Sequence, residues 1–423
     1  MESQPPVVET ISPPLPADRF ARSWNILFWG TVITLGLVLL FETLLKPFTP
    51  IEFLYLARNM VAGRLSVDDI PNIRSDYVVW QGHIYLPMGP LPAVILIPFL
   101  PLIQLGMPPA WISVIMTGVN VWLFYRIFTR LGTTGETRRW ALLLFFGGTV
   151  YFGLAATMNS WYFAQVVGTT FLLAAILEAV GGRRLVLVGL FIGLAGCARI
   201  TYLFALPFFL WLFWVKSWAG RWRGERWMVL GDLALLGLGL GIPILLLIGY
   251  NYARFGNFLE TGYDSEVVSN ADLEYTRSFG LFSVVHIPTN LYYLFLQGPV
   301  PYPYPDSPLL TFPYVQPTPM GMGIFFTTPA LLYVFRARLR DPIVTACWLG
   351  IAAISIPLLT YEATGWLTFG DRYTLDLLPL AVLVAVYGLP NPLNNRARGL
   401  IILSTMINLW GTYWIHAWLT PRP

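Results

Sequence analysis

The chain has 423 residues, of which 56% are hydrophobic and only 11% charged. Soluble domains carry about 25% charged residues, and a chain this apolar would expose large hydrophobic patches to water. That excludes an ordinary soluble globule. The net charge of +4 rests almost wholly on arginine, with lysine only at Lys46 and Lys216. It points to the cytoplasmic loops of a membrane protein and not to nucleic acid.

The apolar runs are continuous instead of alternating, so membrane-crossing helices are predicted over a barrel. Residues 1–18 are polar and proline-rich. They lack the basic start and cleavage pattern of a signal peptide, so the first apolar run is expected to stay. That run, 24–45, follows Arg19 and Arg22, which hold the N-terminus in the cytoplasm. An external segment, 46–109, comes next. Within it, 52–63 reads as an amphipathic surface helix and 67–80 as polar and irregular. The run 91–105 is short and broken by prolines. If it and 110–128 both crossed, Arg126, Arg130, Arg138 and Arg139 would lie outside, against the positive-inside bias. The run 91–105 is therefore predicted to be interfacial or re-entrant. Further spans are predicted at 140–158, 161–180, 185–198, 201–215 and 228–250. Arg183, Arg184, Lys216, Arg221, Arg223 and Arg226 then fall inside. A second external segment, 251–317, holds most of the remaining acids. It includes an amphipathic stretch, 281–297, and a Pro-Tyr-Pro-Tyr-Pro run within 299–308 that cannot be helical throughout. Spans at 320–335, 342–359, 373–389 and 400–418 complete the chain. The prediction is an all-α polytopic membrane protein, one transmembrane domain over 1–423, with roughly eleven crossings.

Chemistry is sought where polar residues gather beside the membrane. The first external segment offers Glu52, Arg58, Arg64, Asp68, Asp69, Arg74, Asp76, His83 and Tyr85. Carboxylates there can act as general bases or hold a divalent metal, although a solvated loop is the plainer reading of them. His83, His286 and His416 are too scattered for a metal site. Cys197 and Cys347 sit in apolar runs and read as packed thiols, not a disulfide. No Gly-rich phosphate loop, Ser-His-Asp order or Cys-x-x-Cys pair occurs. Arg199 lies between two apolar runs, where an arginine is costly without a partner, an anion or the interface. It either snorkels to headgroups or grips a phosphate. Arg372 repeats the theme, and Asp376, four residues on, would share its helix face and could pair with it.

The order of features resembles the GT-C superfamily of membrane glycosyltransferases, in the branch of protein O-mannosyltransferases and aminoarabinose transferases. The matching parts are the surface helix 52–63 and the run Trp80-Gln-Gly-His-Ile-Tyr-Leu-Pro-Met-Gly-Pro-Leu-Pro92. Gly193-Leu-Ala-Gly-Cys-Ala-Arg199, Tyr250-Asn-Tyr-Ala-Arg-Phe-Gly-Asn257 and Phe369-Gly-Asp-Arg-Tyr-Thr-Leu-Asp-Leu-Leu-Pro379 follow in order. The resemblance implies an inverting transfer of sugar from a polyprenyl-phosphate donor to a glycan, lipid or protein acceptor, on the external face of the plasma membrane. It implies a carboxylate base soon after the first span and arginines on the donor phosphate, here Arg199 and Arg372. Arg58, His83, Tyr85, Tyr202 and Tyr263 are the candidate pocket residues, and a divalent metal is left open. The family carries an Asp at the start of the surface helix. Here that stretch reads Phe48-Thr-Pro-Ile-Glu-Phe-Leu-Tyr55, with Glu52 a turn late, so either Glu52 or Asp76 is expected to be the base. Two other readings stay open: a transporter or flippase of a lipid-linked or amphipathic substrate, and a GT-C-like protein without activity. Acids clustered outside the bundle count against an ion relay.

Overall fold

A computed structural model describes residues 16–44, 51–71, 76–267, 271–304, 307–365 and 368–419. The first fifteen residues of the polar tail, Lys46, Arg74, Pro305 and Asp306 lie outside the described residues. Helices dominate, as long runs of Leu, Ile, Phe and Ala in lipid demand. In chain order they are α1 (Pro16–Leu44), α2 (Glu52–Val61), α3 (Leu91–Gln104), α4 (Ala110–Arg130), α5 (Gly135–Gly147), α6 (Tyr151–Thr157) and α7 (Ser160–Val180). After these come α8 (Leu185–Ala198), α9 (Ile200–Arg221), α10 (Arg226–Phe255), α11 (Ala271–Arg277), α12 (Pro342–Thr360), α13 (Leu378–Gly388) and α14 (Asn395–Leu419). Two short hairpins complete the set: β1 (Val78–Trp80) with β2 (His83–Tyr85), and β3 (Val300–Pro303) with β4 (Leu310–Gln316).

Among the described residues, six helices are long and apolar enough to cross a bilayer: α1, α4, α7, α9, α10 and α12. The pair α5–α6, bent by 55° at Gly148, makes a seventh if counted as one span. The other crossings expected from sequence are helical too, but α8 and α13 are shorter, α14 is more polar, and 324–336 is a short helix running into a 3-10 turn. The 14 residues of α3 are broken by a 3-10 turn at Ile97–Phe99. At 1.5 Å per residue it is about 21 Å long, short of the roughly 30 Å hydrocarbon core. It packs with α2 and the starts of α4 and α7 in a separate apolar cluster.

Helix α7 runs through the centre of the bundle and is the most buried of the candidate spans. Asn159 caps it by accepting the Tyr162 N–H at 2.9 Å. Helices α8 and α10 lie nearly backbone to backbone. A Cβ on Gly189 would overlap the Leu236 carbonyl, and one on Gly239 would overlap that of Val186. Small residues allow this approach, which supplies packing where lipid offers no hydrophobic drive.

The bundle has two chemically distinct ends. At one, Arg184 pairs with Glu178 at 2.7 Å, Arg221 with Asp232 at 2.8 Å and Arg398 with Glu136 at 2.6 Å. At the other, α2, α3 and the β1–β2 hairpin gather near the start of α7 and the last turns of α8 and α10, and the β3–β4 hairpin meets the end of α14.

Candidate functional site

Backbone pairing stitches the two long segments, 46–109 and 251–317, together over that second end. Val78 bridges to Glu266, with Val267 donating to the Tyr77 carbonyl at 2.7 Å and Asp76 to that of Val267 at 3.3 Å. Phe282 bridges to Tyr361, with Ser283 donating to the Thr360 carbonyl at 2.7 Å. Residues near 76, 266 and 362 are thus brought together from three parts of the chain.

Glu52 opens α2. Its two oxygens accept the Ser160 hydroxyl at 2.6 Å and the Tyr77 hydroxyl at 3.1 Å. Asp76 has φ +73°, a left-handed conformation that Asp tolerates better than most residues. Its side chain is hydrogen-bonded to Glu266. Two carboxyl groups can share such a bond only if one holds a proton. Burial raises both, against the pull of Arg372 on Asp76 and of Arg277 on Glu266, and Glu266 is pushed up to about 7. The bond itself, with Arg372, favours the ionised form of Asp76 and opposes the rise that burial causes. Arg277 closes the acidic side, meeting Glu266 at 2.7 Å and Glu362 at 2.6 Å, the latter through a fork of three hydrogen bonds.

The cations lie beyond a wall of tyrosines. Arg199 reaches Asp376 at 3.2 Å over the Tyr373 ring, and Asp376 also accepts Thr201 at 2.6 Å. Arg372 differs. It is 8% exposed, and its side-chain hydrogen bond among the described residues is to the Tyr373 hydroxyl, at a long 3.5 Å. Its Nε is buried with no partner among the described residues. The guanidinium stands over the rings of Tyr373 and Tyr162 at 5.1 and 5.7 Å, and its carbonyl is held by Gln165 at 2.7 Å. Tyr263 lies between the two groups. Burial pushes its hydroxyl up to about 12, with Arg199 opposing and Glu266, Tyr373 and Asp76 adding to the rise.

No family model matches the sequence, and no curated protein matches it. In three dimensions the chain is similar to ArnT from Cupriavidus metallidurans in the apo state. The TM-score is 0.49 at 14% identity, covering 90% of this chain and 62% of that one. It is also similar to the apo oligosaccharyltransferase of Archaeoglobus fulgidus, with a TM-score of 0.48 at 12% identity, covering 92% of this chain and 55% of that one. The chain spans between half and two thirds of the length of these two proteins.

Of the residues singled out from sequence, Glu52, Asp76, Arg199, Arg372 and Tyr263 come together. Tyr202 lies behind them, fully buried, its hydroxyl on Thr169 and the Gln165 carbonyl, both at 3.0 Å. Arg58, His83 and Tyr85 stay outside the cluster. Arg58 is exposed on α2, His83 binds Asp68 at 3.0 Å on the surface, and Tyr85 packs edge-on to Phe255 at 5.4 Å. The expected Arg372–Asp376 pairing is replaced by Arg199–Asp376. Residues Arg372–Asp376 form a 3-10 turn, which stacks i over i+3 and swings i+4 away. Sequence reasoning missed Ser160, Tyr77, Glu266, Arg277, Glu362 and Tyr373. The acid-rich second segment was their one visible signal. Among the described residues no three acids, histidines or cysteines gather as metal ligands, and Arg277 already occupies the space between Glu266 and Glu362.

Proposed function

We propose that the protein transfers a sugar from a polyprenyl-phosphate donor to an acceptor hydroxyl at the external face of the membrane. The observation that carries this reading is Arg372, a buried guanidinium with an unpartnered Nε, set across a tyrosine wall from the carboxyl pair Asp76–Glu266. A buried cation with spare donors suits a phosphate dianion, which it can hold by charge-assisted hydrogen bonds. The order of sequence motifs resembling GT-C enzymes supports the same assignment.

Asp76 takes the part of base. Glu52 has both oxygens engaged by Ser160 and Tyr77, whereas the hydrogen bond with Glu266 and the charge of Arg372 both favour the ionised form of Asp76. Asp76 accepts the acceptor's hydroxyl proton as that oxygen bonds the anomeric carbon. The bond from that carbon to the phosphate oxygen breaks, and polyprenyl phosphate leaves with the electron pair against Arg372. Attack opposite the leaving group inverts the anomeric centre. The polyprenyl chain remains in lipid throughout. Arg199, neutralised by Asp376, holds the tyrosine wall in place. The arginine-rich end of the bundle faces the cytoplasm by the positive-inside bias, which turns the site outward at the plasma membrane.

The test is release of polyprenyl phosphate from a panel of polyprenyl-phosphate sugars by the purified protein in lipid. Wild type should release it, Asp76→Asn should not, and Glu52→Gln should retain part of the rate. Full activity in Asp76→Asn would remove the base. No release from any donor that binds would overturn the transferase reading.

A further inference from the structure

The hairpin β3–β4 has no part in this chemistry. Its strands pair antiparallel from Val300 opposite Gln316, and residues 300–316 contain one charged residue, Asp306. A hairpin whose outer face met water would set polar side chains outward and apolar ones inward. Here the order is reversed. Along β4, Leu310, Phe312, Tyr314 and Val315 are 49%, 80%, 56% and 42% exposed, while Thr311, Pro313 and Gln316 are half-buried. Leu309, at the turn, is 72% exposed. An open apolar strand of this kind in water would be an aggregation hazard.

Its position accounts for the reversal. Tyr302 meets Trp414 edge-on at 5.2 Å, and Trp414 contacts Trp410 and Trp418 at 6.4 and 6.1 Å. This is the end of α14 away from Arg398, hence the site end. Tyrosine and tryptophan concentrate where hydrocarbon meets headgroups. The preceding segment, 284–296, exposes Val284, Val285 and Leu296 in the same way. We propose that the β3–β4 hairpin is a membrane anchor, seated in the outer headgroup–acyl boundary with Leu310, Phe312 and Tyr314 turned into lipid. The apolar face is nearly uncharged, continuous with exposed apolar neighbours and joined to an indole cluster. Lipid needs no shape complementarity to cover such a face, whereas a protein partner would.

The test places a spin label at Phe312→Cys in the full-length protein in lipid bilayers; both native cysteines are free and buried. Accessibility to oxygen and to a water-soluble nickel chelate is compared with Glu274→Cys, an exposed site on α11. Leu310→Cys and Tyr314→Cys carry the same test if the first variant fails to fold. The expected result is an oxygen-to-nickel ratio several-fold above that of Glu274→Cys. Nickel-dominated accessibility would place the strand in water and overturn the proposal. Low access to both reagents, or spin–spin broadening between copies, would overturn it in favour of a protein partner or a second copy.

Discussion

Arg372 and the Asp76–Glu266 pair are buried groups whose charge states depend on what stands beside them. Replacing Arg372 with Ala removes the free donor aimed at the proposed phosphate. A hydrogen bond to a charged group contributes about 1.5–3 kcal/mol, so donor KM should rise by roughly 10- to 100-fold. Arg372→Lys should recover part of that, since charge returns without the fork. Steady-state kinetics against donor concentration checks both. The carboxyl pair sets a pH dependence. Glu266 is raised by burial to about 7, above its ordinary value. A carboxyl raised on folding binds its proton more tightly in the native state. Its contribution is therefore full at acid pH and lost as pH climbs through about 7. Asp371, half-buried and also raised to about 7, titrates in the same window. Thermal midpoints measured from about pH 5 to about pH 9 should fall with rising pH. Glu266→Gln, which can still donate to Asp76 but cannot ionise, should flatten part of the slope and leave the Asp371 share. An unchanged slope would mean that Glu266 is not the proton holder.

Elements are joined here by two different devices. Within the bundle, α8 and α10 depend on Gly189 and Gly239 for contact. Gly239→Ala must push the Val186 carbonyl away, and overpacking of this kind costs about 1–3 kcal/mol. The thermal midpoint should drop accordingly; an unaltered midpoint would mean that the helices can separate without loss. Outside the bundle, the second segment is tied down by Arg277, which pairs with Glu362 and also hydrogen-bonds Glu266. Removing one partner of a buried ion pair costs about 3–5 kcal/mol because the other charge is stranded. Arg277→Ala should therefore loosen α11 and speed limited proteolysis around 271–283, while the helices below stay protected.

At the scale of the whole molecule, charge sorts the two ends. The arginine-rich end carries Arg184, Arg221 and Arg398 with their acids, and the site end carries the carboxyl cluster. In intact cells a membrane-impermeant thiol reagent should label Glu274→Cys and leave Arg338→Cys unlabelled until the membrane is opened. The reverse pattern would invert the orientation.

Hydropathy and charge are local properties, which is why the sequence alone determined the helical membrane fold and marked 91–105 as a short, proline-broken helix. The same locality explains why it singled out Glu52, Asp76, Arg199 and Arg372 as candidates. It could not assign their partners. Arg199 meets Asp376 across 177 positions, and Glu52 meets Ser160 across 108. The 3-10 turn that separates Arg372 from Asp376 and the bridge that sets Glu266 beside Asp76 exist only once three segments have folded over the bundle end. In a low-dielectric interior a charge is defined by which opposite charge it meets, and that meeting belongs to the tertiary structure.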